Sequence, residues 1–507
     1  MLVFVMVLCV FVSCKKDPGD ASNNTDPSVP AEYNWPSNLD YSGFGGYKFR
    51  ILTWGQTGGD HWGAYEFYYN EALQGDVVND AVLERDKKLE EKLNIEIEYN
   101  EQTKGDEMLN YARNSINAGS DDFDLLTVSI NQAATLAKEG LLLDLNDYSD
   151  ILNLKESYWD QSAINQFSIA NHLYFAISDL TLVDKQATWA VFFTKSMVDK
   201  YKLAEGYENG LYSMVEEGDW TIEAMHNMCK TVSDDANGDG VMELDDVYGH
   251  IGEMSNYYML MIGCGSQVVK KDANDMPVYC WTDNLDSIVT SYEHVKDIVG
   301  NQDISMLSGR MIQLGIPEAD VWSSGFGGMM EREEALFNVT GMNRCKLYRD
   351  LECEFGILPL PKADKGQESY YSALSMGQAD TVSIPLTSSD PERTATILEA
   401  MTALASQTTY TAYIDRALTY KYLRDDDSAA MLDIIFDNRV YDAADVYGWG
   451  SGNNKVFGSG PAATSIPTQI NSFKKMTENA IEKGIEAFEK IYNNTGEIGR
   501  ASCRERV

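Results

Sequence analysis

The sequence predicts an α/β fold class, on three observations. Apolar or alternating runs recur as candidate strands at Tyr47–Trp54 (YKFRILTW), Asn94–Tyr99 (NIEIEY) and Phe123–Val128. Amphipathic stretches separate them: Val77, Val78, Ala81, Val82, Leu89 and Leu93 fall at helical spacing within Asp76–Leu93. The connections are short, and strand–helix–strand order with short loops makes a parallel sheet. At 507 residues the chain exceeds one ordinary core, so two or more domains are expected.

The first strand runs into Gly55-Gln56-Thr57-Gly58-Gly59, and an aromatic cluster follows at Trp62, Tyr65, Phe67, Tyr68 and Tyr69. Tyr111–Ala118 reads as a helix stopped by Gly119, and the third strand ends in Ser129-Ile130-Asn131 before a helix over Gln132–Lys138. Ligands on such sheets sit outside the carboxyl ends of the strands, which points at Trp54–Gly59 and Ser129–Asn131. His172–Ile177 and Ala187–Phe193 read as two further strands, and the polar loop Ser178–Gln186 between them is where the chain passes from one lobe to another. Beyond it, Thr221 caps a helix with Glu223 in its first turn, and Asn256–Ile262 is an apolar helix or strand. Leu285–Val299 is helical, and Ala335–Val339, Glu354–Leu358 and Thr381–Pro385 are strands. Ser389-Asp390-Pro391-Glu392 starts a helix through Thr394–Leu404, and Lys474–Tyr492 is a last amphipathic helix.

Forty basic residues against 79 acidic ones leave a net charge of −39, the wrong sign for a phosphate backbone or an anionic lipid surface. No nucleic-acid partner is therefore expected. The 29 Tyr and 9 Trp suit pockets that stack on ring-shaped ligands, although most aromatic rings serve a core. Met1–Val12 is almost wholly apolar and ends in Ser13-Cys14, which resembles a lipoprotein signal with Cys14 as the lipidated residue; a plain cleaved signal is the alternative. Residues 15–44, rich in Asp, Asn, Ser and Pro, read as a flexible tether. No CxxC or Cys/His spacing indicates zinc. Cys345 and Cys353 pair if the segment between them is a hairpin, and are otherwise free thiols. The basic tail 496–507 reads as non-native sequence after the last helix.

The most specific local pattern is the stretch 235–246. Asp235, Asn237 and Asp239 occupy loop positions 1, 3 and 5, Gly240 position 6, the Val241 carbonyl position 7, Glu243 position 9 and Asp246 position 12. That is an EF-hand-type spacing, with alternate oxygens turned inward and Gly bending the chain, and it predicts a structural Ca2+ site. Asp246 replaces the longer Glu usual at position 12, and a plain Asx/Gly turn is the alternative. Signals for an enzyme are thin. None of the five His lies in HExxH, and no GxSxG, GxxxxGK[ST] or GxGxxG follows a strand. No catalytic residue is assigned, although abundant carboxylates leave open a glycosidase-like pair.

The order of FRILTW (Phe49–Trp54), NIEIEY, FDLLTVS (Phe123–Ser129) and KEGLLLDLNDY (Lys138–Tyr148) resembles the extracellular solute-binding proteins of bacterial ABC importers, the sugar-binding group in particular. DWTIEAM (Asp219–Met225), EEALFNVTG (Glu333–Gly341) and EFGILPLPKAD (Glu354–Asp364) continue the match. The resemblance implies a periplasmic-binding-protein-like (type II) fold, two α/β lobes joined by a hinge crossed more than once. By that analogy residues 45–183 and 375–425 form lobe 1, and 184–374 and 426–495 form lobe 2, with crossings near Ser178–Gln186, Tyr371–Ala379 and Leu423–Ser428. It implies ligand-binding roles for Trp54, Gln56, Trp62, Tyr65, Ser129, Asn131, Trp189, Tyr257, Trp322, Phe326, Gln378, Asp380 and Trp449. Arg332 or Arg344 would supply a local positive charge. The implied protein is monomeric, extracytoplasmic and lipid-anchored, and hands a carbohydrate, an oligosaccharide by preference, to ABC permease subunits. A secreted carbohydrate-active enzyme and a calcium-dependent surface adhesion module are the rival readings.

Overall fold

Phe49, Ile51 and Leu52 are fully buried, which makes the apolar run of Tyr47–Trp54 the central strand β1 of a first sheet. In the computed structural model β1 pairs in parallel with β2 (Ile95–Gln102) and β3 (Leu125–Ser129). β11 (Asp380–Ser383) adds to β3 in the antiparallel sense, giving the order β11-β3-β1-β2. The helix Val77–Leu93 enters through Asp76, whose carboxylate accepts the Val78 and Asn79 N–H groups, and leaves through Asn94 at φ 48°. The model describes residues 33–54, 67–103, 105–423, 425–450, 452–458, 460 and 464–504, without side chains at 420, 421 and 494–504. The expected signal with Cys14, most of the tether, and Gln56, Trp62 and Tyr65 lie outside the described residues. Trp35–Val507 forms one compact unit.

A second sheet holds β4 (Trp189–Thr194), β5 (Tyr248–Gly252), β8 (Ser305–Leu307), β9 (Ala335–Gly341) and β10 (Phe355–Leu358) in the order β10-β4-β9-β5-β8. A small hairpin, β6 (Val269–Lys271) with β7 (Pro277–Tyr279), stands apart from it. Two sheets with separate helical layers make the two lobes. β5 carries a Gly at its second position because the helix Ile222–Val232 crosses it almost in contact. A Cβ on Gly249 would lie 2.3 Å from the Cys229 Cα. Gly249→Ala is expected to cost about 3 kcal/mol, because the obstacle is backbone and cannot rotate away; a denaturant midpoint within error of the parent would contradict this.

Several expected boundaries move. His172–Ile177 forms no strand and touches the first sheet only through an Ala176–Val382 bridge. The helix expected to end at Leu404 spans Pro391–Ala405 and continues in wider, π-type turns through Tyr422. Thr411 and Thr419 hydroxyls donate to carbonyls five residues back, at Ser406 and Ile414, which suits the wider turn. The last helix runs from Ile466 to Arg504 rather than over Lys474–Tyr492. It packs on β7 and on the helix Leu285–Gly300 in the second lobe, and on the helix Ile130–Lys138 in the first. Cys345 and Cys353 are free thiols.

Three segments carry the chain between the lobes as a narrow ribbon. Trp189 N–H donates to Ala373 O at 2.9 Å and Ser375 N–H to Ala187 O at 2.9 Å. Ser372 N–H donates to Asn438 O at 2.9 Å, and Val440 N–H returns to Ser372 O at 3.0 Å. These three crossings centre on residues 187–189, 372–375 and 438–440, and another passage precedes the helix Asp426–Asp437. The expected polar crossing loop Ser178–Gln186 is a buried segment ending in the short helix Val183–Gln186. At the expected third crossing the chain enters the helix Asp426–Asp437, which packs on β10 in the second lobe. Residues 438–440 are therefore a further passage. After them the helix Ala443–Tyr447 packs on the first-lobe helices Ile130–Lys138 and Gln161–Phe167, so 426–495 does not belong to the second lobe alone.

Candidate functional site

The ends of β1, β3 and β11 meet on one edge of the first lobe. Register places Asp380 opposite Ser129, and Ile130 N–H donates to Ala379 O at 3.0 Å. The Trp54 indole N–H donates to Asp380 Oδ2 at 2.5 Å, joining the last residue of β1 to the first of β11. Asn131 is exposed on the first turn of its helix, with Nδ2 3.8 Å from where a Cβ on Gly377 would sit. Gln378, one residue further on, is half-buried. Ser129 is buried, and its N–H donates to Gln132 Oε1 at 3.2 Å, so it serves the start of its helix.

The hinge contributes Trp189. Its indole is 4% exposed and donates to Ser375 Oγ at 3.0 Å, spanning two of the crossing segments. On the second lobe, Gly341 pairs with Trp189, Met342 N–H donates to Thr188 O at 2.8 Å and Asn343 N–H to Gln186 O at 3.0 Å. This brings the next residue, Arg344, to the hinge end of β9. Its guanidinium carbon lies 4.1 Å from the centre of the half-buried Trp322 ring, a cation–π stack. Glu253 follows β5 at the same end of the sheet. Burial pushes its carboxyl up, while a Ser255 hydrogen bond and the Arg344 charge oppose that. The site therefore offers a carboxylate pinned by an indole, a hydroxyl pinned by an indole, and a guanidinium laid on an indole.

Three expected contacts are displaced. Tyr257 is fully buried on the helix Asn256–Gly263 and faces Tyr292, with ring centres 6.4 Å apart. Phe326 is fully buried beneath Trp322, at 5.1 Å, because Val321–Gly327 coils into a π-type turn rather than an open glycine-rich loop. Trp449 stacks on Tyr447 at 5.0 Å and presses on Gly484 of the last helix. Arg332 pairs with Glu334 at the far end of β9.

A cluster that sequence reasoning missed underlies the hinge. Arg439 donates to Asp184 Oδ2 at 2.9 Å and Asp160 Oδ2 at 2.6 Å, and the Tyr441 hydroxyl donates to the same Asp160 oxygen at 2.7 Å. Lys185 lies 2.9 Å from Asp184 and 3.6 Å from Asp179. Burial would raise the Asp160 carboxyl, but Arg439 and the hydrogen bonds hold it below the usual range. Burial dominates at Asp179, pushed up to about 6 despite Lys185.

In the stretch 235–246 the side-chain oxygens turn inward onto backbone N–H groups. Asp235 accepts from Gly238 at 2.8 Å and Gly240 at 2.7 Å, Asn237 from Asp239 at 2.9 Å, and Asp239 from Val241 at 2.8 Å. Asp246 is fully buried and accepts from Ala236 at 2.9 Å and Glu243 at 2.6 Å, closing the loop. The donor set is all oxygen and suits a hard cation. Among the described residues, however, no three His, Cys, Asp or Glu side chains converge on one point.

The model of the bacterial extracellular solute-binding protein family matches residues 84–285, from the first helix through the crossover and the calcium-type stretch. This segment belongs to that family. No curated protein matches the chain. Among solved structures, an ABC substrate-binding protein from Listeria monocytogenes in complex with cycloalternan is 14% identical, with 89% of this chain and 99% of that one covered at a TM-score of 0.46. The maltose-binding periplasmic protein from Listeria monocytogenes in complex with maltose is 12% identical, covering 86% and 98%, at 0.49. A chain of a de novo designed esterase is 13% identical, covering 88% and 99%, at 0.50, a likeness of fold alone. Family membership implies an extracytoplasmic location. Among the described residues no helix is long and apolar enough to cross a membrane.

Proposed function

We propose that this solute-binding protein captures a carbohydrate, an oligosaccharide by preference, between its two lobes and delivers it to the permease of an ABC importer. One observation carries the reading: Asp380 on the first lobe, Ser375 in the hinge and Arg344 at the hinge end of the second lobe are each set by a Trp. A polyhydroxylated ring needs such fixed acceptors and donors beside an apolar wall, and directed hydrogen bonds discriminate among sugars. Delivery to a permease is the functional half of the proposal, and the family match of residues 84–285 supports it. Tethering through a lipid on Cys14 belongs to the same proposal and is supported by the apolar run before it. Calorimetry of the purified chain against a panel of oligosaccharides and peptides tests the reading. Micromolar or tighter binding of a sugar supports it; a folded protein that binds only peptides, or nothing, overturns it.

We further infer that the stretch 235–246 holds a structural Ca2+, with Asp235, Asn237, Asp239, the Val241 carbonyl, Glu243 and Asp246 as its oxygen donors. The ion would supply charge balance to a loop otherwise closed by hydrogen bonds. Calcium in tenfold excess over its Kd is expected to stabilise the chain by about 1.4 kcal/mol, by mass action. Asp239→Ala removes the increase in Tm. A Tm identical in calcium and in chelator contradicts the site.

A further inference from the structure

On the outer side of the second lobe, the helices Ile222–Val232 and Leu285–Gly300 face each other through two imidazoles. His226 Nδ1 and His294 Nδ1 lie 2.9 Å apart. His226 Nε2 lies 2.6 Å from Asp297 Oδ2, and Asn301 Nδ2 donates to the other Asp297 oxygen at 3.0 Å. The carboxylate therefore holds the His226 proton on Nε2 and leaves the Nδ1 lone pair turned towards His294. A recess of about 570 Å³ opens beside the pair, lined also by Tyr257, Glu293, Lys296 and Gly300. Tyr257 is fully buried, and its hydroxyl has no hydrogen-bond partner. It stands almost on the Gly300 backbone, where a Cβ would come within 2.2 Å of the oxygen. None of these groups takes part in the interlobe site.

We propose that His226 and His294 form a binding site for a divalent transition-metal ion of the Ni2+ or Cu2+ kind. Metal–nitrogen bonds of about 2.0–2.1 Å set at a right angle put their nitrogens about 2.9 Å apart, whereas a tetrahedral angle puts them about 3.3 Å apart. The observed separation fits the square or octahedral preference of Ni2+ and Cu2+ better than that of Zn2+. In the metal-free protein the His294 Nδ1–H donates to His226 Nδ1; the metal takes the place of that proton, which His294 then carries on Nε2, so both rings ligate as neutral imidazoles. Asp297 then occupies the place of the carboxylate that orients a metal-bound histidine. No third His, Cys, Asp or Glu joins the pair among the described residues, so water from the recess fills the remaining positions.

The test titrates the untagged full chain with NiCl2 by calorimetry and with CuCl2 under electron paramagnetic resonance. One Ni2+ per chain is expected, with nitrogen superhyperfine structure from two imidazoles in the Cu2+ spectrum. His294→Gln, at the more exposed of the two rings, abolishes the tight Ni2+ event while its circular dichroism stays that of the parent. Asp297→Asn keeps both ligands and weakens binding about 10–100-fold. Asp239→Ala, in the calcium-type stretch, leaves Ni2+ affinity unchanged. Absence of Ni2+ binding, affinity within twofold of the parent in His294→Gln, or loss of binding in Asp239→Ala each overturns the proposal.

Discussion

Arg439→Met is expected to lower folding stability by about 3–5 kcal/mol, the cost of removing one partner from a buried ion pair. Its guanidinium bridges Asp160 and the fully buried Asp184, and Met fills much of the volume while leaving Asp160 without its ion-pair partner and Asp184 with Lys185 alone. Adding Asp160→Asn and Asp184→Asn to Arg439→Met should restore much of the loss, because the cost is uncompensated charge rather than lost contact. Urea midpoints of the single and triple variants measure this; a single-variant loss below about 1 kcal/mol would show that solvent reaches the cluster. The pH dependence separates its two kinds of carboxylate. Asp160 has a depressed folded pKa, so its stabilisation is present above the usual carboxylate range and is lost as pH falls through that depressed value. Asp179 has a raised folded pKa of about 6, so it binds a proton more readily when folded and penalises stability as pH rises through that value. Asp179→Asn is therefore expected to stabilise the chain at pH 7.5, with the gain vanishing near pH 4.

Asp380→Ala is expected to weaken solute binding by about 100-fold, close to 2.7 kcal/mol, within the range for losing a charged hydrogen-bonding group. The substitution removes the carboxylate and also releases the Trp54 indole, whose N–H it holds. Trp54→Phe separates the two contributions. It keeps the apolar wall and the carboxylate but not the bond between them, and a loss of about tenfold is expected. Calorimetry with the best sugar from the panel reads both, and full affinity in Asp380→Ala would move the solute away from this edge of the first lobe.

How legible the fold was depended on what each segment needed from its side chains. β1, β2, β3, β9 and β10 announce themselves because buried apolar or alternating residues fill them from end to end. β5 (YGHIG) does not, because the approach of Cys229 demands Gly249 and because His250 is buried, bonded to Ser305 at 2.8 Å and Asn256 at 3.1 Å. Trp54, Asp380 and Trp189 stand at strand ends, as their places in the sequence suggest, and their part in binding is the proposal. Tyr257, Phe326 and Trp449 sit beside turns in the chain, yet they lie in the core, where a large ring gains most from burial. The hinge cluster left only a partial local signal. Asp179, Asp184 and Lys185 lie within the polar stretch Ser178–Gln186, but Asp160 and Arg439 are lost among 79 acidic and 40 basic residues, and only the crossing of the backbone brings them to it.

The last helix constrains how such a clamp can work. At 39 residues it is a rod about 58 Å long. Lys474 lies over the Tyr279 ring of the second lobe, whereas Phe488 stacks on Tyr174 and the Ile491 side chain comes 3.3 Å from a Cβ position on Gly140 in the first. A stiff bar fastened to both lobes, at points about 26 Å apart along it, opposes the two halves parting like jaws while both fastenings hold. Capture and release must then be a swivel about the bar's own axis, or must begin with one end coming undone.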